Sequence, residues 1–390
     1  MKFEKLDRLP PYVLAIVNDL KARARRAGED VIDLGFGNPN HATPPHVVEK
    51  LVEAARDPRN HHYSASRGLP NLRRAMARWY ARRYGVTLDP ENQVISTIGA
   101  KEGLSHFVIA GISPGDTVLC PDPCYPIHSF SVLIAGGDLC RVPLHPLDDL
   151  VGRLEESVKA LARRPKLLIA SFPHNPTTAT VDLAYLTRLV EFCRRNDMVL
   201  VHDLAYAEIC FDGYVPPSVL QVPGAFDCAI EFTSLSKSHA MAGWRVGFAA
   251  GNPELIRVLA RVKSYLDYGT FQPIQIATII ALDGPQDFVA DIVEDYRQRR
   301  NALCDGLEQA NWKIEKPLGT MFVWAPVPER FASLGSLEFS KLLLEQAQVA
   351  VAPGVGFGPA GEGFVRFALV ENTHRIRQAV RSMRRLVRDG

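Results

Sequence analysis

One lysine stands among small hydroxyl residues in Thr233-Ser234-Leu235-Ser236-Lys237-Ser238. A β-rich run leads into it. Gly243-Trp244-Arg245-Val246-Gly247 follows, with the arginine eight positions after the lysine. An amine can condense with an aldehyde, and hydroxyls with a guanidinium can grip a phosphate dianion. Together these are the groups that a pyridoxal-phosphate site requires. Alone, the same run also reads as a surface loop with a solvated lysine.

Four further segments add matching chemistry. In Val199-Leu200-Val201-His202-Asp203-Leu204-Ala205-Tyr206 an apolar strand ends in an acid, and a tyrosine follows three residues later. An aspartate at the carboxyl end of a strand faces the ligand crevice of an open α/β sheet, where it can keep a pyridine nitrogen protonated. It can equally be a helix N-cap. Thr97-Ile98-Gly99-Ala100-Lys101-Glu102-Gly103 reads as strand, glycine turn and helix start, an arrangement that binds phosphate and that ordinary βα turns share. Ser171-Phe172-Pro173-His174-Asn175-Pro176-Thr177 places Asn175 after a buried strand, as a ligand contact or a turn residue. In Phe364-Val365-Arg366-Phe367-Ala368 an arginine lies within an apolar strand. A buried guanidinium there requires an anion: a bidentate substrate carboxylate or a structural partner.

The elements around these segments must hold them in place. The chain has 390 residues, 47% hydrophobic and 23% charged, ordinary values for a globular protein with a sizeable core. A net charge of +2 argues against a nucleic-acid binder. The seven cysteines are scattered without a CxxC pair, so neither a metal site nor a disulfide framework is expected. No signal peptide or membrane-spanning run is visible, which makes the cytoplasm the default compartment.

Residues 11–27 read as an amphipathic helix opened by Pro10–Pro11. From about 47 to 280, helical stretches at 70–84, 100–111, 126–136, 182–196 and 253–268 alternate with strand-like runs. The runs are 93–98, 117–120, 166–171, 198–202, 228–233 and 245–250. That alternation implies an α/β unit with a mostly parallel sheet covered on both faces. After about 285, a long polar helix (287–310) leads into WKIEK, MFVWAPV, a helix near 337–347, VAVAPG, FVRFALV and a final helix at 372–388. This reads as a smaller α+β domain. The expected division is 1–46 as an N-terminal segment with part of the small domain, 47–285 as the large cofactor domain, and 286–390 as the small domain.

The five segments, in this order, resemble the fold-type I pyridoxal-phosphate enzymes, specifically the class I and II aminotransferases. The likeness runs from RLPPYV to FALVEN. Within the group the chain looks most like the bacterial glutamate–pyruvate (alanine) aminotransferases, through HYSASRGLP, TIGAKEGL, VHDLAYA, LSKSHAMAGWRVGF and KSYLDYGTF. LL-diaminopimelate aminotransferases are next. The resemblance implies a seven-stranded, mostly parallel large-domain sheet. It implies Lys237 as the Schiff-base lysine, Asp203 on the pyridine nitrogen, and Tyr206 with Asn175 on the phenolate oxygen. Tyr125 would stack on the ring. Ala100, Lys101, Ser234, Ser236 and Arg245 would hold the phosphate. Arg366 would take the substrate α-carboxylate, with Asn175 and Gly37 alongside. Tyr63 and Tyr268 match positions that reach the neighbouring subunit's phosphate, so a homodimer is implied.

The reaction implied is transfer of an amino group from an L-amino acid to a 2-oxo acid by a ping-pong route, with alanine and 2-oxoglutarate the first pair to test. Other amino-acid donors, LL-diaminopimelate among them, are alternatives, as is a β-lyase acting on cystathionine-type thioethers. A non-catalytic pyridoxal-phosphate regulator would be expected to carry a helix-turn-helix domain, and the N-terminal stretch is too short for one.

Overall fold

The computed structural model describes residues 7–9 and 13–389, excluding the side chains of 388 and 389. Pro10, Pro11 and Tyr12 of RLPPYV lie outside the described residues. The helix expected over 11–27 runs over Val13–Arg26 among the described residues.

Seven strands form the main sheet: β2 (Val94–Thr97), β3 (Thr117–Asp122), β4 (Asp138–Pro143), β5 (Leu167–Ser171), β6 (Val199–Asp203), β7 (Ala229–Ser234) and β8 (Gly247–Gly251). Their spatial order is β2-β8-β7-β6-β5-β3-β4. Strand β8 pairs antiparallel with both neighbours, and every other pairing is parallel. All residues of β5 are buried, because its alternate side chains feed two cores. Leu168 and Ala170 pack with the helices Pro70–Tyr84 and Leu183–Arg195 on one face. Leu167 and Ile169 pack with the helices Ala100–Gly111 and Pro253–Leu266 on the other. Full burial of such a side chain contributes roughly 1.5–3 kcal/mol, so two-sided coverage favours continuous apolar runs over alternation.

The second layer is smaller. Strands β9 (Phe322–Pro326), β11 (Ala352–Pro353) and β12 (Phe364–Ala368) form an antiparallel sheet in the order β11-β12-β9. A separate parallel pair joins β1 (Ile32–Asp33) to β10 (Val349–Ala350), bringing the N-terminal segment to this layer. Val365 and Phe367 enter a core built with the helices Asp287–Glu308, Gly335–Ala347 and Thr373–Asp389. The period of two along β12 therefore sends Arg366 to the opposite face.

Several expectations are corrected. Strand β4 is missing from the sequence reading, since it is a half-exposed edge strand interrupted by Asp138 and Arg141. The helices Pro45–Arg56, Leu150–Ala160 and Gln272–Asp283 are also missing from it. WKIEK joins no sheet. Its Trp312 is buried, and the indole N–H donates to Pro326 O at 2.8 Å instead. The helix expected over 253–268 ends at Leu266, because Asp267 turns extended and its carboxylate accepts the N–H of Gly269. Tyr268 therefore sits on a loop.

Candidate active site

The carboxyl ends of β5, β6 and β7 lie side by side, with Ser171 opposite Asp203 and Asp203 opposite Phe232. Ligands of open α/β sheets bind beyond that edge. A cavity of about 450 Å³ opens there, closed from above by β12 and the loop around Gly37. Every site residue expected from the sequence lines it except Tyr63 and Tyr268. Those two lie against each other at the surface, their rings tilted by 36° with centres 4.5 Å apart, and are 83% and 62% exposed.

Lys237 lies on the short helix Leu235–Ser238 at the end of β7, and its Nζ donates to Gly37 O at 3.0 Å. Burial, then the positive charges of Arg366 and Arg245, lower its pKa to about 8. The amine is thus poised to lose its proton near neutrality, as a nucleophile or base must. Asp203 ends β6. Its Oδ2 lies 2.9 Å from His128 Nε2, and its Oδ1 accepts the Ala205 N–H at 3.1 Å. Tyr206 is buried, which raises its pKa and keeps the phenol a proton donor.

The groups expected to hold a phosphate collect near the junction of β2, β8 and β7. Ser234 caps the Lys237 helix: its Oγ accepts the Ser236 N–H at 3.1 Å and lies 2.8 Å from Ser236 Oγ. Arg245 adopts a left-handed conformation, φ 56°, and its Nη2 faces Ile98 O at 3.4 Å. Gly99 has φ +80°, and any side chain there would strike the Arg245 guanidinium. A Cβ on Gly247 would sit 2.8 Å from the Ala100 N atom, so glycine is required for this close approach. A helix N-terminus, two hydroxyls and a guanidinium converge on one corner, and this donor set fits a phosphate dianion.

Arg366 faces the cavity from β12. Its Nη1 donates to Asn175 Oδ1 at 2.7 Å, and Nη2 reaches Gly35 O at 3.4 Å. Its Cζ lies 3.9 Å from the Phe322 ring centre and 4.5 Å from that of Phe357. The guanidinium is thereby held between aromatic faces on the cavity wall.

Sequence reasoning missed four contributors. His128 stands three residues after Tyr125, in the first turn of the helix Pro126–Ala135, a spacing that puts both on one side. That signal was readable. Phe322 and Phe357 carry no motif. Lys21, on the first helix, reaches the cavity wall with its Nζ 2.6 Å from Asp33 Oδ2, and nothing in the sequence links those residues.

The chain belongs to the family of class I and II aminotransferases, whose pattern matches residues 29–383. It is an aminotransferase, of a family whose members depend on pyridoxal phosphate. It shares 52% identity over 390 residues with the glutamate-pyruvate aminotransferase AlaC of Escherichia coli K12, covering 100% of this chain and 95% of that one. It is 43% identical over 383 residues to the LL-diaminopimelate aminotransferase of Moorella thermoacetica, covering 98% and 97% of the two chains. Among solved structures, substrate-bound BacF from Bacillus subtilis superimposes with a TM-score of 0.92 at 33% identity, covering 99% and 98%.

Proposed function

We propose that this chain uses pyridoxal phosphate to move the amino group of L-alanine to 2-oxoglutarate, giving pyruvate and L-glutamate, and that it works as a homodimer. One juxtaposition carries the reading. A lysine amine of lowered basicity and a buried, aromatic-bracketed guanidinium face the same cavity.

Lys237 holds the cofactor through its amine. Ala100, Lys101, Ser234, Ser236 and Arg245 hold the phosphate, and Tyr125 covers the ring. When bound, the cofactor supplies an electron sink for charge developing at the substrate Cα. Asp203, fixed by His128 and the Ala205 N–H, offers its carboxylate to the ring nitrogen. Tyr206, aided by Asn175, would donate its hydroxyl hydrogen to the phenolate oxygen of the ring. Arg366 clamps the substrate α-carboxylate, with Asn175 and Gly37 beside it. With the cofactor bound, the Lys237 Nζ would serve as the acid–base group that takes the substrate Cα proton and hands it on.

The dimer is supported by the surface bearing Tyr63 and Tyr268. Tyr265 and Leu266 at the end of the helix Pro253–Leu266, and Phe271 just after the Tyr268 loop, are exposed as well, apolar surface that a second copy would cover. The preference for alanine follows the 52% identical relative. Alanine offers only a methyl group, so discrimination against near homologues is expected to be about 1–3 kcal/mol per methylene.

The test is kcat/KM for alanine, aspartate, LL-diaminopimelate and an aromatic amino acid, each with 2-oxoglutarate. Alanine is expected to rank first. If it falls below any of the others by about tenfold, or roughly 1.4 kcal/mol, the substrate assignment fails. Borohydride reduction followed by peptide mapping tests the lysine separately: the pyridoxyl group belongs on Lys237, and finding it on Lys101 or Lys263 refutes the site.

A further inference from the structure

Lys263 lies on the helix Pro253–Leu266, outside the cavity, and is completely buried. A lysine enters a protein interior only with partners, since a lone buried charge costs several kcal/mol. Its Nζ donates to Glu102 Oε1 at 2.8 Å and to Asp267 Oδ2 at 2.9 Å. His106 Nδ1 adds a contact 2.6 Å from the same Glu102 oxygen. Ligand atoms of Glu102, His106 and Asp267 lie within 4.8 Å of one another, a spacing that could hold a metal ion. The ammonium already bonded to both carboxylates is the cation of this cluster.

The other oxygen of each carboxylate leads elsewhere. Glu102 Oε2 accepts the Ile98 N–H at 2.7 Å. Ile98 opens the turn to Gly99 and Ala100, and its carbonyl is the one that Arg245 Nη2 faces. Asp267 Oδ1 accepts the Gly269 N–H at 2.7 Å, and Tyr268 stands between those two residues. A continuous line of contacts thus runs from Arg245 through Ile98, Glu102, Lys263 and Asp267 to the Tyr268 loop. Burial works to raise the pKa of Glu102, but contact with His106 and the charge of Lys263 outweigh it and hold the carboxyl below its usual range.

We propose that Lys263 is a positioning residue that joins the phosphate turn of its own subunit to the Tyr268 loop presented to the neighbour. The proposal rests on the cofactor and dimer reading above. Without the ammonium, two carboxylates would face each other in a poorly solvated space. One would have to take a proton or swing away. A displaced Glu102 frees Ile98 and with it the turn under Arg245, while a displaced Asp267 frees the Tyr268 loop.

The measurement is binding of pyridoxal phosphate and, separately, of pyridoxal to the cofactor-free full-length protein, followed by absorbance. Lys263→Met is expected to weaken pyridoxal phosphate by about tenfold or more. It should leave pyridoxal, which has no phosphate, within about threefold. Lys263→Arg, which keeps the charge and its two partners, should recover most of the loss. Tyr268→Phe should cost less affinity in the Lys263→Met background than in the unmodified protein, the non-additivity expected of coupled residues. Should Lys263→Met fail to fold, Asp267→Asn carries the test. It severs only the loop branch and is expected to reduce the cost of Tyr268→Phe in the same way.

Equal losses for both ligands, unchanged phosphate binding, or fully additive effects would overturn the proposal. These results are separable from failure of the underlying reading. In that case the unmodified protein itself would show no pyridoxal-phosphate binding and no borohydride label on Lys237.

Discussion

Lysine in place of Arg366 keeps the positive charge and removes the flat fork. In the present geometry Nη1 is tied to Asn175 at 2.7 Å and Nη2 reaches Gly35 at 3.4 Å, while two rings fix the plane. A carboxylate meeting the fork edge-on takes two parallel N–H bonds, whereas an ammonium presents a single point of attachment. One charge-assisted hydrogen bond contributes about 1.5–3 kcal/mol. Each 1.4 kcal/mol is a factor of about ten, so kcat/KM for alanine should fall roughly 10- to 100-fold in Arg366→Lys. The α-carboxylate is held alike before and during the reaction, so the loss should appear mainly in KM. Cofactor content should stay unchanged, because the residues proposed to hold the phosphate, Ser234, Ser236 and Arg245, lie on other elements. Steady-state kinetics with alanine and 2-oxoglutarate, alongside cofactor stoichiometry by absorbance, reads both quantities. A kcat/KM within about threefold of the unmodified protein would refute the bidentate clamp, and so would a loss fully explained by missing cofactor.

Three further outcomes follow from the same geometry. Asp203→Asn removes the carboxylate held by His128 while keeping its shape, so the protein should retain cofactor yet lose about a hundredfold in kcat, roughly one strong charge-assisted bond. Near-normal turnover would show that the ring nitrogen does not depend on this residue. The rate at which cofactor-free protein captures pyridoxal phosphate should rise with pH through about 8, since the Lys237 ammonium, unreactive at lower pH, gives way to the amine there. A stopped-flow profile flat from about pH 7 to 9 would contradict this. Mixing Tyr63→Phe subunits with Lys237→Ala subunits should restore activity in hybrid dimers that keep one site free of both lesions. Verified subunit exchange with no recovery would argue against shared sites.

The chemistry was more legible in the sequence than the architecture that supports it. Asp203 and Arg366 stood out because each sets a charge at the end of or within an apolar run, a violation that needs a reason, and Lys237 because small hydroxyl residues flank it. The almost wholly buried strands β5, β6 and β7 were legible as short apolar-rich runs alternating with helices. Strand β4 was not, because an edge strand carries Asp138 and Arg141 without penalty and so looks like a loop. The ending of a helix at Leu266 rests on Lys263 and the Asp267 carboxylate, a tertiary arrangement that no local pattern reports. Phe322 and Phe357 come from separate elements and meet only around Arg366. An aromatic residue in an apolar strand is ordinarily core, so nothing marked them.

Asn175 connects the two halves of the site. Its Oδ1 accepts from Arg366 at 2.7 Å, and its Nδ2 points to the Tyr206 hydroxyl at 3.5 Å. The guanidinium can only donate, so the amide oxygen must face it and the amide nitrogen must face Tyr206. The same residue therefore orients the Arg366 guanidinium on β12 and the phenol beyond β6. Asn175→Asp would place a second acceptor against Tyr206 and a full negative charge beside Arg366, where it would compete with the substrate carboxylate for the fork. Asn175→Ala removes both contacts without adding charge. If Asn175 serves chiefly to orient Arg366, the alanine variant should raise KM while the aspartate variant raises it further. If its contact with Tyr206 matters more, both should depress kcat instead. The 2.7 Å contact against the 3.5 Å one favours the first outcome.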